Sequence, residues 1–222
     1  MAALPSFASF CNDWFPPESL PVLRQMLSHS GAIFYGLEVL RFLRTIPSSL
    51  KPALNIAVPS EYQGSFAALL CLHGYVSDGF DSPACNHTRP IAKLYENFTH
   101  FGSGRKITLV LSLHSAMAVV LFAPSTVDMA IVTARRCIVL YPTLVMELKV
   151  SLNLGTRTSL EHLNEYSITC LQEVGPVGDE IFGSRYVGDD LCYQFEFQDG
   201  TADDYLRLNH PFLVLKPAFD GG

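Results

Sequence analysis

Four side chains in this sequence have the character of metal ligands: Cys71 and His73, then Cys85 and His87, each pair separated by one residue. Thiolate and imidazole are groups that zinc prefers, and four of them close a tetrahedral site. The repeat matches no common zinc finger, however, and Cys71 lies in an apolar run where a free cysteine behaves as a small buried hydrophobe. No metal is expected there. A second cluster, Gly102-Ser103-Gly104-Arg105-Lys106, has the glycines and cations of a phosphate turn. It lacks the G-x-x-x-x-G-K-[ST] frame and precedes a β-type run instead of opening a helix, so an ordinary turn is expected. His114 and His162 have no partner at ligand or catalytic spacing and are expected to be structural. Asp189-Asp190 reads as a solvated turn, with weak Ca²⁺ or Mg²⁺ binding as the alternative.

These residues must be held by elements legible from apolar spacing. Leu20, Val22, Leu23, Met26 and Leu27 predict a helix after Pro16-Pro17, with Trp14 and Phe15 anchoring the N-terminal helix to the core. Residues 32–35 predict a short strand closed by Gly36, and residues 37–43 a helix ended by Pro47. Residues 54–58 predict a strand stopped by Pro59, and residues 66–71 the next helix. Residues 77–90 are rich in Ser, Asp, Gly and Pro and predict a loop. Strands are expected at 106–113, 126–132 and 137–140, helices at 146–154 and 160–169, and residues 116–122 fit either. Alternating aromatics at 192–197 precede an Asp199-Gly200 turn. Strands interleaved with helices predict an α+β fold, organised as a core over residues 1–170 and an acidic, aromatic-rich segment over 171–222 packed on that core.

Composition narrows the function classes. Of 222 residues, 49% are hydrophobic and 16% charged, which excludes a disordered or collagen-like chain. Net charge is −6, and the ten acids and three bases of residues 171–222 account for all of it and more. With no basic cluster beyond isolated doublets, general nucleic-acid binding is not expected. Six widely spaced cysteines without C-x-x-C, and no secretory signal, predict a reducing, intracellular and cytoplasmic setting. Residues 107–127 contain no Asp, Glu, Lys or Arg, but two polar clusters punctuate the run. Two buried elements are expected and no membrane span.

The ordered set of a β-run, Gly36, a helix with Leu40 and Phe42, Pro52-Ala53-Leu54-Asn55-Ile56-Ala57-Val58-Pro59, a helix with Phe66 and Leu69, and Gly74-Tyr75 resembles the nucleotidyltransferase-like proteins of mushroom-forming fungi. Short matches continue to about residue 200, including Ser125-Thr126, Met129, Leu140-Tyr141-Pro142 and Arg185. The resemblance implies a mixed sheet flanked by helices. In that family a Gly-Ser turn presents backbone N–H groups to triphosphate, and two carboxylates two residues apart on one strand hold Mg²⁺. Here the corresponding positions are Gly36-Leu37, Ala53 and Asn55, so the hydroxyl and both carboxylates are replaced.

The resemblance therefore implies a catalytically inactive relative acting as a binding or interaction module for a protein or small-molecule ligand, with no cofactor expected. The alternative is an enzyme with a rebuilt site in the same cleft, using Asp128, Glu61 and Arg41, and Mg²⁺ with nucleotide belong to that alternative alone. A more distant likeness is the stretch 68–75, which is similar to the strand and His-Gly turn of α/β-hydrolases. That fold also needs a G-x-S-x-G elbow, and the sequence has none.

Overall fold

The computed structural model describes residues 5–49, 53–81, 91–152, 161–171, 187 and 190–199. Its centre is an eight-stranded mixed sheet. The strands are β1 (Ile33–Tyr35), β2 (Leu54–Pro59), β3 (Tyr75–Asp81), β4 (Ala92–His100), β5 (Lys106–Ser112), β6 (Ala130–Val132), β7 (Arg136–Val139) and β10 (Tyr193–Glu196), in spatial order β10-β7-β6-β1-β2-β5-β4-β3. All neighbours are antiparallel except β2 and β5. Two further strands, β8 (Val150–Leu152) and β9 (Thr169–Leu171), form a separate parallel pair.

Residues in register across a sheet share a face, which gives this sheet two distinct surfaces. Phe34, Ile56 and Leu109 are in register and fully buried. Phe34 meets the rings of Phe7 and Phe10 from helix α1 (Phe7–Cys11) at 6.5 and 5.3 Å, so α1 covers this face. The opposite face carries Tyr35, Asn55, Thr108 and Asn97 in register, a polar row across four strands. Thr108 Oγ1 donates to Asn97 Oδ1 at 3.0 Å, and Asn97 Nδ2 donates to Asp81 Oδ2 at 2.7 Å.

The remaining helices follow their sequence signals. Helix α2 (Leu20–Ser30) buries Leu20, Leu23 and Leu27 and stops at Gly31, whose φ of 70° supplies the left-handed C-cap. Helix α3 (Leu37–Phe42) follows β1 directly, α4 (Gln63–Leu72) follows β2, and α5 (Ala116–Leu121) lies against β1, β2 and β5. Ser115 caps α5 by accepting from the Ala118 amide at 3.2 Å, which decides the ambiguous stretch in favour of helix. Trp14 and Phe15 are buried as anchors, as their size and apolarity predicted. Among the described residues no helix is long and apolar enough to cross a membrane. The uncharged run splits into β5, α5 and a 3-10 turn at Thr126–Met129.

Several expectations are corrected. Residues 77–81 form the outer part of β3, not a loop, because an edge strand can direct Ser and Asp to water. Asp78 and Asp81 accept cross-strand bonds from Thr99 and Asn97, and Gly79, at φ 110°, marks the bulge. Residues 126–129 turn before β6 begins. The expected helix at 146–154 is instead a π-helical turn at Thr143–Leu148 that Lys149 ends in the left-handed region, followed by β8. At 160–169 a 3-10 helix, Glu161–Tyr166, gives way to β9. Residues 68–72, the strand of the hydrolase likeness, are helical within α4, and that local likeness is lost. Cys71 is exposed and not buried, since it lies on the outer side of α4.

Candidate functional site

The short β1 strand ends at Tyr35, and the chain must then reverse into α3. Gly36 makes the turn with φ 90° and ψ −151°, a conformation open almost only to glycine, and its amide donates to the Ala130 carbonyl at 2.9 Å. A Cβ built on Gly36 would lie 3.2 Å from Asp128 Oδ1 and 3.3 Å from Asn55 Nδ2. Three positions singled out from sequence thus meet at the C-terminal end of β1. The Ser125 hydroxyl donates to Asp128 Oδ2 at 2.9 Å. Burial pushes the Tyr35 phenol well above its ordinary range, and the negative charge of nearby Asp128 adds to that push. Tyr35 stays neutral here.

Replacing Gly36 by alanine is expected to cost about 2 kcal/mol, from an unfavourable backbone region and from the two close contacts. A urea titration checks this, and a change smaller than about 0.5 kcal/mol would show that the turn relaxes freely.

The other sequence-derived positions go elsewhere. Leu37 is half-buried and packs against the core, so an apolar side chain occupies the first turn of α3. Ala53 and Arg41 line a cleft of about 250 Å³ shared with Asp13, Trp14, Glu38 and the 103–106 turn. Glu61 is exposed in the 3-10 turn Ser60–Tyr62, beyond the C-terminal end of β2 and so at the opposite end of that strand from Asn55. It joins neither group. Cys85, His87, Asp189 and Arg185 lie outside the described residues, as does the side chain of His162. Among the described residues no cluster of three or more His, Cys, Asp or Glu side chains could hold a metal.

The cleft has an order of its own. Glu38 is fully buried one turn before Arg41 on α3, and its carboxylate accepts from Trp14 Nε1 at 2.9 Å and from Arg41 Nε at 2.7 Å. Arg41 Nη2 donates to both Glu38 and Asp13. Arg105 donates to the other Asp13 oxygen at 3.2 Å, its guanidinium 5.5 Å from the centre of the Trp14 ring. Burial raises the Asp13 carboxyl, but hydrogen bonds and charge from Arg41 and Arg105 outweigh it and hold the group below its ordinary value of 3.8. Asp13 is ionised at neutral pH.

Sequence reading missed Asp13, Glu38 and Arg105 as a unit because they come from three separate segments. The one local signal was the i, i+3 acid–base pair of Glu38 and Arg41 on an otherwise apolar helix. The 102–104 turn is an ordinary one, as its frame predicted: Gly102 and Ser103 donate to His100 Nδ1 at 3.1 and 3.0 Å, and Gly104 donates to the His100 carbonyl at 2.9 Å. Its amides are therefore committed within the turn. Comparison with family models, curated proteins and solved structures finds no match for this chain.

Proposed function

We propose that this chain is a catalytically inactive nucleotidyltransferase-like protein that serves as an intracellular binding or interaction module, its partner a protein or a small molecule and not nucleic acid in general. The observation that carries this reading is the meeting of Gly36, Asn55 and Asp128 within 3.3 Å of one point at the end of β1. In the family this chain resembles, that turn receives a triphosphate and the adjacent strand supplies two metal-holding carboxylates. Here the corresponding positions are Ala53, just before β2, and Asn55 within it, leaving Asp128 as the one acid of the group. A single carboxylate that already accepts from Ser125 is a poor replacement for the charge that binds two magnesium ions. In this reading the acidic 171–222 segment is an extension of the same frame.

Thermal unfolding of the full chain, titrated with nucleoside triphosphates with and without Mg²⁺, tests the proposal. The expected result is no magnesium-dependent stabilisation. An intact site filled to a hundred times its Kd would add about 2.7 kcal/mol, or several degrees. A magnesium-dependent shift of that size that disappears in Asp128→Asn would overturn the inactive reading in favour of an enzyme with a rebuilt site.

A further inference from the structure

Two arginines in the cleft grip one carboxylate from opposite sides. Arg41 reaches Asp13 Oδ2 at 2.7 Å and Arg105 reaches Oδ1 at 3.2 Å. This is the way guanidinium groups hold an oxyanion, with one donor on each oxygen. The cations are built in, with side-chain exposures of 17% and 23%, whereas the acid between them is 45% exposed. Arg41 is fixed from beneath by the buried Glu38, and Arg105 is steadied by the Trp14 ring. Each guanidinium thus has a contact besides Asp13: Glu38 for Arg41 and the Trp14 ring for Arg105.

Charge and size narrow what else could sit there. Arg41, Arg105 and Lys106 line the cleft together with Glu38 and Asp13, one positive charge in excess. Turning Asp13 outward raises the excess to two, matching the roughly −1.5 to −2 of a phosphate group at neutral pH. At about 250 Å³ the cleft is at the small end of ligand pockets and suits a compact group. Because the amides of the 102–104 turn are spent on His100, side chains must do the binding.

We propose that this cleft is a phosphate-binding site, in which inorganic phosphate or a small phosphate monoester displaces Asp13 from Arg41 and Arg105. The assignment stands on the cleft alone and goes beyond the nucleotidyltransferase-like reading. A magnesium-dependent shift that needs Asp128 would end that reading and leave this one intact.

Calorimetric titration of the full chain with inorganic phosphate, at constant ionic strength, tests it. Asp13→Asn removes the competing charge and should tighten binding about tenfold. Arg105→Ala should weaken it by about tenfold or more. If that variant fails to fold, Arg105→Lys keeps the charge, loses the fork and should still weaken binding. Glycerol phosphate should compete for the same site: tighter binding than phosphate marks an esterified ligand, and weaker binding marks the free ion. Equal phosphate affinity in wild type, Asp13→Asn and Arg105→Ala, or no heat in wild type and Asp13→Asn, would overturn the proposal. Acetate binding as tightly as phosphate would overturn the choice of ligand.

Discussion

Glu38→Ala is expected to lower the unfolding free energy by about 3 to 5 kcal/mol, the cost of breaking a buried ion pair by removing one partner. The carboxylate has no exposed surface and accepts from both Trp14 Nε1 and Arg41. Its removal strands an indole N–H in a buried site and leaves Arg41 with only Asp13, at the cleft edge. An unpaired buried donor alone accounts for about 1 to 3 kcal/mol. Glu38→Gln keeps an acceptor for Trp14 and should recover part of the loss. A urea titration with unchanged slope would report it as a displaced midpoint. A loss below about 1 kcal/mol in Glu38→Ala would mean that water replaces the carboxylate, and that Arg41 is not anchored as described.

Phe197→Ala should cost about 3 to 5 kcal/mol, in the range of a buried aromatic truncation. Phe197 is 3% exposed, with ring contacts to Phe7, Phe195 and Phe42 at 5.9, 5.6 and 6.5 Å. Its amide donates to the Arg135 carbonyl at 2.7 Å, continuing the alignment of β10 on β7. Two residues on, the Asp199 carboxylate accepts from the Phe7 and Ala8 amides at 3.1 Å each and pairs with Arg24, so residues 193–199 bind the start of α1. Burial raises the Asp199 carboxyl, yet these backbone hydrogen bonds and Arg24 prevail and lower it below 3.8. A depressed carboxyl adds stability that is fully present above the unfolded value and disappears as pH falls through the lower folded value. The latch should therefore loosen only below about pH 4. A Phe197→Ala variant as stable as wild type would show that the aromatic cluster closes without it. Removal of residues 171–222 would take β10 and Phe197 with it, so it would not leave an intact core for a binding assay.

Which parts of this molecule could be read from sequence depended on whether neighbours in the chain are also neighbours in space. Residues 32–35 and 54–58 announce strands because both are short, mainly apolar runs, interrupted in the second only by Asn55 and closed by Gly36 or Pro59, and they are the central pair β1 and β2. Residues 77–81 do not, because the outer strand of a sheet needs few apolar residues and its Ser, Asp and Gly resemble a loop. Helix α1 was missed for a related reason: five residues carry no periodicity, and its sign is the capping box of Ser6 and Ser9. At the candidate site, Asp128 stood alone in sequence and meets Gly36 and Asn55 only because β6 pairs with β1. Glu61 had the right chemistry but belongs to the far end of β2. The Asp13, Arg41 and Arg105 bridge is assembled from a loop, a helix and a hairpin turn, and no linear spacing encodes it.

The place of β1 has a consequence for how the chain reaches this structure. It is three residues long and lies between β2, which follows soon after, and β6, whose Ile131 pairs with Tyr35 from far along the chain. During synthesis, β1, α3 and β2 are complete well before β5 and β6 have been made, so both flanks of the β1–β2 pair must wait for their hydrogen-bond partners. The outermost strand β10, which pairs Val139 with Tyr193, comes later still. Three of the seven pairings in the main sheet, β1 with β6, β2 with β5 and β7 with β10, join strands distant in sequence, and such pairings slow folding and leave strand edges available to other chains meanwhile. Phe7 and Phe10 of α1, already made by then, cover one face of that early pair through Phe34 in the finished fold.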